Sequence, residues 1–343
     1  MCCIRSNCVL SFGCWLLIFT NLSNGAEKTD TLMTKMLSDW NARQKIADSM
    51  LYEIRGHVIV PRDSYLRIDE NQGVTPIHDS EYNVSTELLL DFQNNRVRRT
   101  EESEVLCAPI RSFIPYYEVD LYDGTQYFNY QPIDKNTSDS WKPGKYQSEL
   151  HLTGSRPYGM FFSHYIDILL LTGHGSIYTH NSPVTPQKLL RTSVTSHFFK
   201  QELVKYKGRQ CILLQTMPSK LRGKGYYNII VDPAHESAIV KWSSFYRDQL
   251  YSDIEIEHEL TKQGWLPARW TETYYSKPKI PITKTMCVKR RVFNPKLKDS
   301  DFKIEITPGM VIYDRATNSE FISSGPGKPM IPLKEWKLKH PDE

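Results

Sequence analysis

The sequence predicts an α+β protein built on a strongly curved antiparallel sheet that is covered by two or three helices. Three observations lead to this. Strand-like segments outnumber helical ones along the chain. The links between successive strand-like segments are too short for βαβ crossovers, so neighbours must run antiparallel. Two helical stretches, one amphipathic and one apolar nearly all round, need a sheet face to cover.

Residues 1–25 read as a secretory signal peptide: Arg5 precedes the largely apolar run Val9 to Phe19, and Ser23 and Gly25 stand at the small-residue positions before a cut ahead of Ala26. Leu32, Met33, Met36, Leu37, Trp40, Ala47 and Leu51 then recur at helical steps, with Asp30 placed to cap and charged residues on the opposite side. That predicts one amphipathic helix. After it, Gly56 to Val60, Leu88 to Phe92, Arg96 to Arg99 and Val119 to Tyr122 are strand candidates. Asn94-Asn95 and Asp123-Gly124 mark hairpin turns, because these residue types tolerate positive φ.

Residues 131–156 are polar and carry Pro132, Pro143 and Gly144 without a sustained period, so they read as a loop that opens an insertion over about 131–200. Within it, Tyr158 to Leu171 predicts an apolar helix closed by Gly173 and Gly175. Leu189 to Phe199 fits helix or strand. Seven further strands follow at Cys211 to Gln215, Tyr226 to Asp232, Ala238 to Phe245, Ile254 to Leu260, Leu266 to Tyr275, Thr285 to Phe293 and Phe302 to Ile306. Strict alternation over Ile254 to Leu260 places Ile254, Ile256 and Leu260 on one face and Glu255, Glu257 and Glu259 on the other. Residues 26–324 are thus expected to form one domain, with 325–343 a frayed Pro- and Lys-rich tail.

Some of these segments carry a resemblance. The initial amphipathic helix and strand meander are followed by Gly225-Tyr226-Tyr227-Asn228-Ile229-Ile230-Val231-Asp232-Pro233, a short turn, Ala238-Ile239-Val240-Lys241-Trp242, and Gly264-Trp265-Leu266-Pro267-Ala268-Arg269-Trp270. This order resembles the LolA/LolB lipoprotein-carrier superfamily, and is similar to its RseB-like and secreted bacterial relatives. The resemblance implies a half-open barrel whose apolar concave face holds a lipid or lipoprotein acyl chain, with helices as a lid. It points to a secreted or periplasmic carrier or chaperone rather than an enzyme. The lid and groove residues expected on this view are Met160, Phe161, Phe162, Tyr165, Ile166, Leu169 and Leu170. The alternative is an envelope interaction or sensing module, bound to a protein partner, whose barrel is plugged by its own helices.

Composition narrows the remaining classes. Of 343 residues 40% are hydrophobic and the formal net charge is +4, too slight for nucleic acid to be the expected partner. No second stretch is long and apolar enough to cross a bilayer. Four of the seven cysteines precede residue 15, and no CxxC or Cys/His cluster occurs, so neither a disulfide scaffold nor structural zinc is expected. Cys107, Cys211 and Cys287 remain, as one disulfide with a free thiol or as three unpaired thiols. A G-x-S-x-G elbow is absent, so no catalytic residue, metal or cofactor is assigned. His174 and His180, six apart in a loop, read as solvated. His235-Glu236 reads as turn chemistry, Arg96, Arg98, Arg99, Lys289, Arg290 and Arg291 as a salt-laced outer face, and Tyr116, Tyr117, Tyr122, Tyr127, Phe128 and Tyr130 as sheet core.

Overall fold

A computed structural model describes residues 31–132 apart from 44, 63, 65, 68–72 and 108–110, residues 148–152, and residues 198–340 apart from 217–224, 276–279 and 315–316. Helix α1 covers 31–43. The strands are β1 (Ser49–Val60), β2 (Leu66–Arg67), β3 (Gly73–Val74), β4 (Ser80–Asp91), β5 (Arg96–Cys107), β6 (Ser112–Tyr122), β7 (Tyr127–Pro132), β8 (Ser148–Leu152) and β9 (Phe198–Tyr206). They continue as β10 (Arg209–Thr216), β11 (Tyr226–Asp232), β12 (Ala238–Tyr246), β13 (Gln249–Thr261), β14 (Gly264–Tyr275), β15 (Pro281–Phe293), β16 (Val311–Asp314), β17 (Ser319–Ile322) and β18 (Ile331–Pro332), followed by α2 (Leu333–Lys339).

Sixteen strands form one sheet in the order β18-β17-β16-β8-β7-β6-β5-β4-β1-β15-β14-β13-β12-β11-β10-β9, with β2 and β3 a separate hairpin. Strand β1 joins two meanders, pairing β4 on one side and β15 on the other. Every pairing in the large sheet is antiparallel except β16 with β8. The end strands β18 and β9 do not pair with each other, so the sheet is an open barrel rather than a closed one.

Its curvature follows from the core. Strands β1, β4 to β7 and β10 to β15 all contribute to a single buried cluster around Met36 and Trp40 of α1. Eleven flat strands spaced by about 4.8 Å would extend over roughly 48 Å, far beyond the reach of one short helix. The sheet therefore curls around α1, aided by bulges in β12, β13, β14 and β15. At Gly56 the side chain of its ladder partner Met286 lies over the backbone, so that a Cβ would stand 2.1 Å from Met286 Sδ.

The convex face is also partly apolar. Residues 294–310 cross it as a strap: Phe302, with Leu297 and Ile304, covers Leu51, Leu89, Leu121 and Phe128, while Met310 continues the contact beside Ile306 and Tyr130. The strap then enters the sheet as β16.

Several expectations are corrected. The initial helix ends at 43, and Ala47 and Leu51, which share its spacing by coincidence, belong to the link and to the convex face of β1. Part of 131–156 is strand, since β8 is held from both sides by β7 and β16. Phe302 to Ile306 is no ladder strand: Asp299–Phe302 form a 3-10 turn, closed by Asp301 accepting from Lys298 N at 2.7 Å, and the apolar alternation serves to lie across the sheet. Residues 331–339 are not frayed, for they form β18 and α2 with Leu333 buried. Leu260 is 67% exposed although it shares the parity of the buried Ile254 and Ile256, for it stands near the end of β13, beyond the β14 bulge at Ala268. The hairpins at Asn94-Asn95 and Asp123-Gly124 form as the turn residues predict, with Asn95 and Gly124 at positive φ. Cys107, Cys211 and Cys287 are free thiols.

Candidate functional site

The concave face is the natural site, and it divides in two. Register places Met50, Tyr52, Ile54, Val58 and Val60 of β1 beside Val84, Leu88 and Leu90 of β4 on one flank, and beside Met286 and Ile282 of β15 on the other. Ile254 and Ile256 of β13, Trp242 of β12, Ile229 and Val231 of β11 and Ile212 and Leu214 of β10 extend this lining. Met36 and Trp40 of α1 are 0% exposed against it, with Leu32, Met33 and Leu37 packed alongside. The amphipathic stripe read in the sequence is what seats the helix there.

Polar bonds at the β11–β12 turn pin α1 in place. Trp40 Nε1 donates to Ser237 O at 2.7 Å, Ser237 Oγ donates to Asp39 Oδ2 at 2.5 Å, and Lys35 Nζ donates to Pro233 O at 3.2 Å. Arg43 Nη2 donates to His235 O at 3.0 Å and lies 3.8 Å from Glu236 Oε2. The turn is itself strained: Glu236 and Ser237 are consecutive non-glycine residues at φ 52° and 56°. Its base is Asp232, fully buried, which accepts from Ala234 N at 3.0 Å and pairs with His235 Nδ1 at 2.7 Å and Arg209 Nη1 at 2.8 Å. Glu236 Oε2 in turn accepts from Trp265 N at 3.1 Å, an approach that requires Gly264 at φ 98°, since a Cβ there would stand 2.2 Å from that oxygen. His235 and Glu236, read from sequence as turn chemistry, also hold the helix.

Beneath the end of α1 lies His258. Burial, then the nearby charges of Arg43 and His235, push its imidazole down to about 3, so the ring is neutral at ordinary pH. Burial likewise pulls the Arg43 guanidinium down to about 10, with Glu236 and Asp39 opposing; it stays charged.

The other half of the concave face is polar. On β5 the inward alternation passes from Val97 to Arg99 and Glu101, opposite Asp120 and Glu118 of β6. Arg99 pairs with Glu118 at 2.6 Å, with Asp120, and with Glu101 at 3.6 Å. Asn129 Nδ2 donates to Glu118 Oε1 at 2.6 Å and Asp120 Oδ1 at 2.7 Å, and Tyr127 Oη donates to Asp120 Oδ1 at 2.9 Å. Gln131 Nε2 links Glu118 to Tyr116. Burial of Asp120, 3% exposed, together with Glu118 outweighs the attraction of Arg99 and raises its carboxyl to about 6. The same burial and carboxylates drive the Tyr116 and Tyr127 hydroxyls well above the usual phenol range.

The seven lid and groove residues expected from sequence, Met160, Phe161, Phe162, Tyr165, Ile166, Leu169 and Leu170, lie outside the described residues, as do His174 and His180. The basic runs split. Arg96 pairs with Asp91 and Asp299 and Arg98 donates to Asp301 O on the convex side, whereas Arg99 points inward, a correction to the outer-face reading. Arg290 pairs with Glu53 outside, while the β15 bulge turns Arg291 toward Tyr52, whose hydroxyl burial raises to about 12. Tyr122 and Tyr127 are core residues, as expected. Glu255 pairs with Lys207 and Glu259 with Arg291. Among the described residues no group of His, Cys, Asp or Glu is arranged to hold a metal, and no helix is long and apolar enough to cross a membrane.

No family model and no curated protein matches the chain. Among solved structures, it is similar to an outer membrane lipoprotein-sorting protein domain from Vibrio parahaemolyticus, at 10% identity and a TM-score of 0.33 over 78% of this chain and 95% of that one. It is also similar to a LolA superfamily protein from Nitrosomonas europaea, at 11% identity and a TM-score of 0.38 over 78% of this chain and 96% of that one. These are likenesses of fold; the open sheet curled about α1 is what defines the architecture here.

Proposed function

We propose that the protein is a non-catalytic, exported carrier or chaperone that holds the acyl chain of a lipid or lipoprotein against the apolar half of its concave face, with α1 as the cover. The observation that carries this reading is the pairing of a wide apolar sheet face with a short helix that is tied to the β11–β12 turn by a few polar bonds. An apolar surface covered by one detachable element favours any ligand that replaces the element's buried area, at about 25 cal/mol per Å².

The complete burial of Met36 and Trp40 favours a second reading, in which α1 is a permanent plug and the protein is an interaction or sensing module with a protein partner. Binding of 1-N-phenylnaphthylamine to the delipidated protein separates the two. Saturable fluorescence enhancement, reversed by palmitate and accompanied by a change in Trp40 emission, is expected of the carrier. Absence of binding, with no lipid in solvent extracts of the freshly purified protein, overturns it in favour of the plug.

A further inference from the structure

The end of α1 contains an unmet polar demand that the apolar face does not explain. The Arg43 side chain is 5% exposed, yet among the described residues only its Nη2 is engaged; Nε and Nη1 are buried without a hydrogen-bond partner there. His258 Nε2 is buried and unpartnered among the described residues as well, and the turn that holds Arg43 ties it to the same strands: Glu236, 3.8 Å from Arg43, accepts from Trp265 N of β14, whose Trp265 and Pro267 pair with Leu260 and His258 of β13. A buried donor left unmet costs about 1–3 kcal/mol, so such groups normally have a partner, either ordered water or a ligand.

The surrounding carboxylates do not supply one. Asp232 is taken up by Arg209, His235 and Ala234 N, and Asp39 by Lys35 and Ser237. Glu236 accepts from Trp265 N and stands 3.8 Å from Arg43, beyond hydrogen-bond distance. The site also adjoins the apolar lining: Trp40 is one helical turn before Arg43, and Ile256 is two residues before His258 on β13, both in the core cluster.

We propose that Arg43 and His258 form the head-group subsite for an anionic acyl ligand, such as a free fatty acid, whose tail lies along the face lined by Ile256, Ile254 and Trp242. This rests on the carrier reading and names its ligand class. An oxyanion accepts from the Arg43 nitrogens and from His258 as the Nε2–H tautomer, a charge-assisted arrangement in a water-poor site. The bound anion also offsets the positive charge of Arg43, which adds to burial in holding His258 neutral.

The test uses the full delipidated chain at pH 7.5 with four probes: palmitate, methyl palmitate, hexadecyl phosphate and the neutral reporter 1-N-phenylnaphthylamine. Palmitate is expected to bind at least about tenfold more tightly than its ester, the factor of one charge-assisted hydrogen bond. Hexadecyl phosphate separates a phosphate from a carboxylate head, and tighter binding of either anion than of the ester supports the subsite. In Arg43→Gln and, separately, His258→Gln, the acid-to-ester ratio should collapse toward one. Equal binding of acid and ester by the unaltered protein overturns the proposal while leaving the carrier reading intact, and assigns the vacant donors to water. A preference untouched by both substitutions overturns it too. Failure of all four probes to bind rejects the carrier reading, and the subsite with it.

Discussion

Replacing Arg99 by Met removes the cation from the polar half of the concave face and leaves Glu101, Glu118 and Asp120 facing one another. All four side chains are at most 15% exposed, so solvent screens them little. Breaking such a buried group by deleting one partner costs about 3–5 kcal/mol, and this is the loss expected at pH 8. Asp120 gives the loss a pH dependence. Its carboxyl titrates at about 6 in the folded protein, against an ordinary value of 3.8. A carboxyl raised in this way takes up a proton on folding, so its contribution to stability grows as pH falls through 6 and is complete below 3.8. Two units correspond to about 3 kcal/mol. Without Arg99 the proton is taken up at still higher pH, so Arg99→Met should lose about 3–5 kcal/mol at pH 8 but only about 1–2 kcal/mol at pH 5. Urea denaturation followed by tryptophan fluorescence, with both proteins measured at each pH, isolates the difference, because the His258 contribution is common to both. A penalty that is equal at the two pH values, or larger at pH 5, refutes the network as described.

Three further outcomes follow from the packing around α1. Trp40→Ala should destabilise by about 3–5 kcal/mol, and Trp40→Phe, which keeps most of the ring but orphans the Ser237 carbonyl, by about 1–3 kcal/mol; equal losses in urea melts would deny the bond a role. Gly56→Ala should cost about 1–3 kcal/mol, since the new methyl meets the fully buried Met286 side chain, and a neutral or raised melting temperature would contradict that packing. His258 titrates at about 3 folded against 6.5 unfolded, so the unfolded chain binds the extra proton between those values; stability is full above 6.5 and falls as pH drops toward 3. The difference between wild type and His258→Gln should therefore shift by about 1.4 kcal/mol per unit between pH 6 and 4, and a flat difference in acid denaturation would show that the ring is not held neutral.

The architecture was legible where local chemistry and tertiary pairing agree. The alternation in β11 to β15, the turn at Asp232-Pro233 and the positive-φ residues at Asn95 and Gly124 are readable one residue at a time. Bulges are not. The extra residue Lys289 of β15 brings Arg291 inward, a reversal that depends on how neighbouring strands twist, and Leu260 is exposed near the end of β13 despite the parity it shares with Ile254 and Ile256. The strap at 294–310 was missed because an alternating segment can lie across strands as well as beside them. Arg99 reads as an outer-face residue because its neighbours Arg96 and Arg98 are convex-side residues; the available signal was its inward parity with Val97. Arg43 and His258 had no local signal at all, for 215 positions separate them and only the docking of α1 brings them together.

If an acyl tail replaces α1 on the apolar face, the helix itself sets how long that tail must be. Burial of Met36 and Trp40 is worth about 2–3 kcal/mol each, and the partial burial of Leu32, Met33 and Leu37 about 1 kcal/mol each, so the cover contributes roughly 8 kcal/mol. The bonds from Trp40, Arg43 and Lys35 to the β11–β12 turn add about 1 kcal/mol apiece. A methylene buried from water returns about 0.8 kcal/mol, so with the turn bonds kept, as a head group held by Arg43 requires, a chain breaks even near ten methylenes. Octanoate should then bind negligibly, and affinity should rise about fourfold per methylene from laurate to palmitate in calorimetric titrations of the delipidated protein. Octanoate binding as tightly as palmitate would mean that the tail does not compete with Met36 and Trp40, and that the apolar half of the sheet belongs to α1 alone.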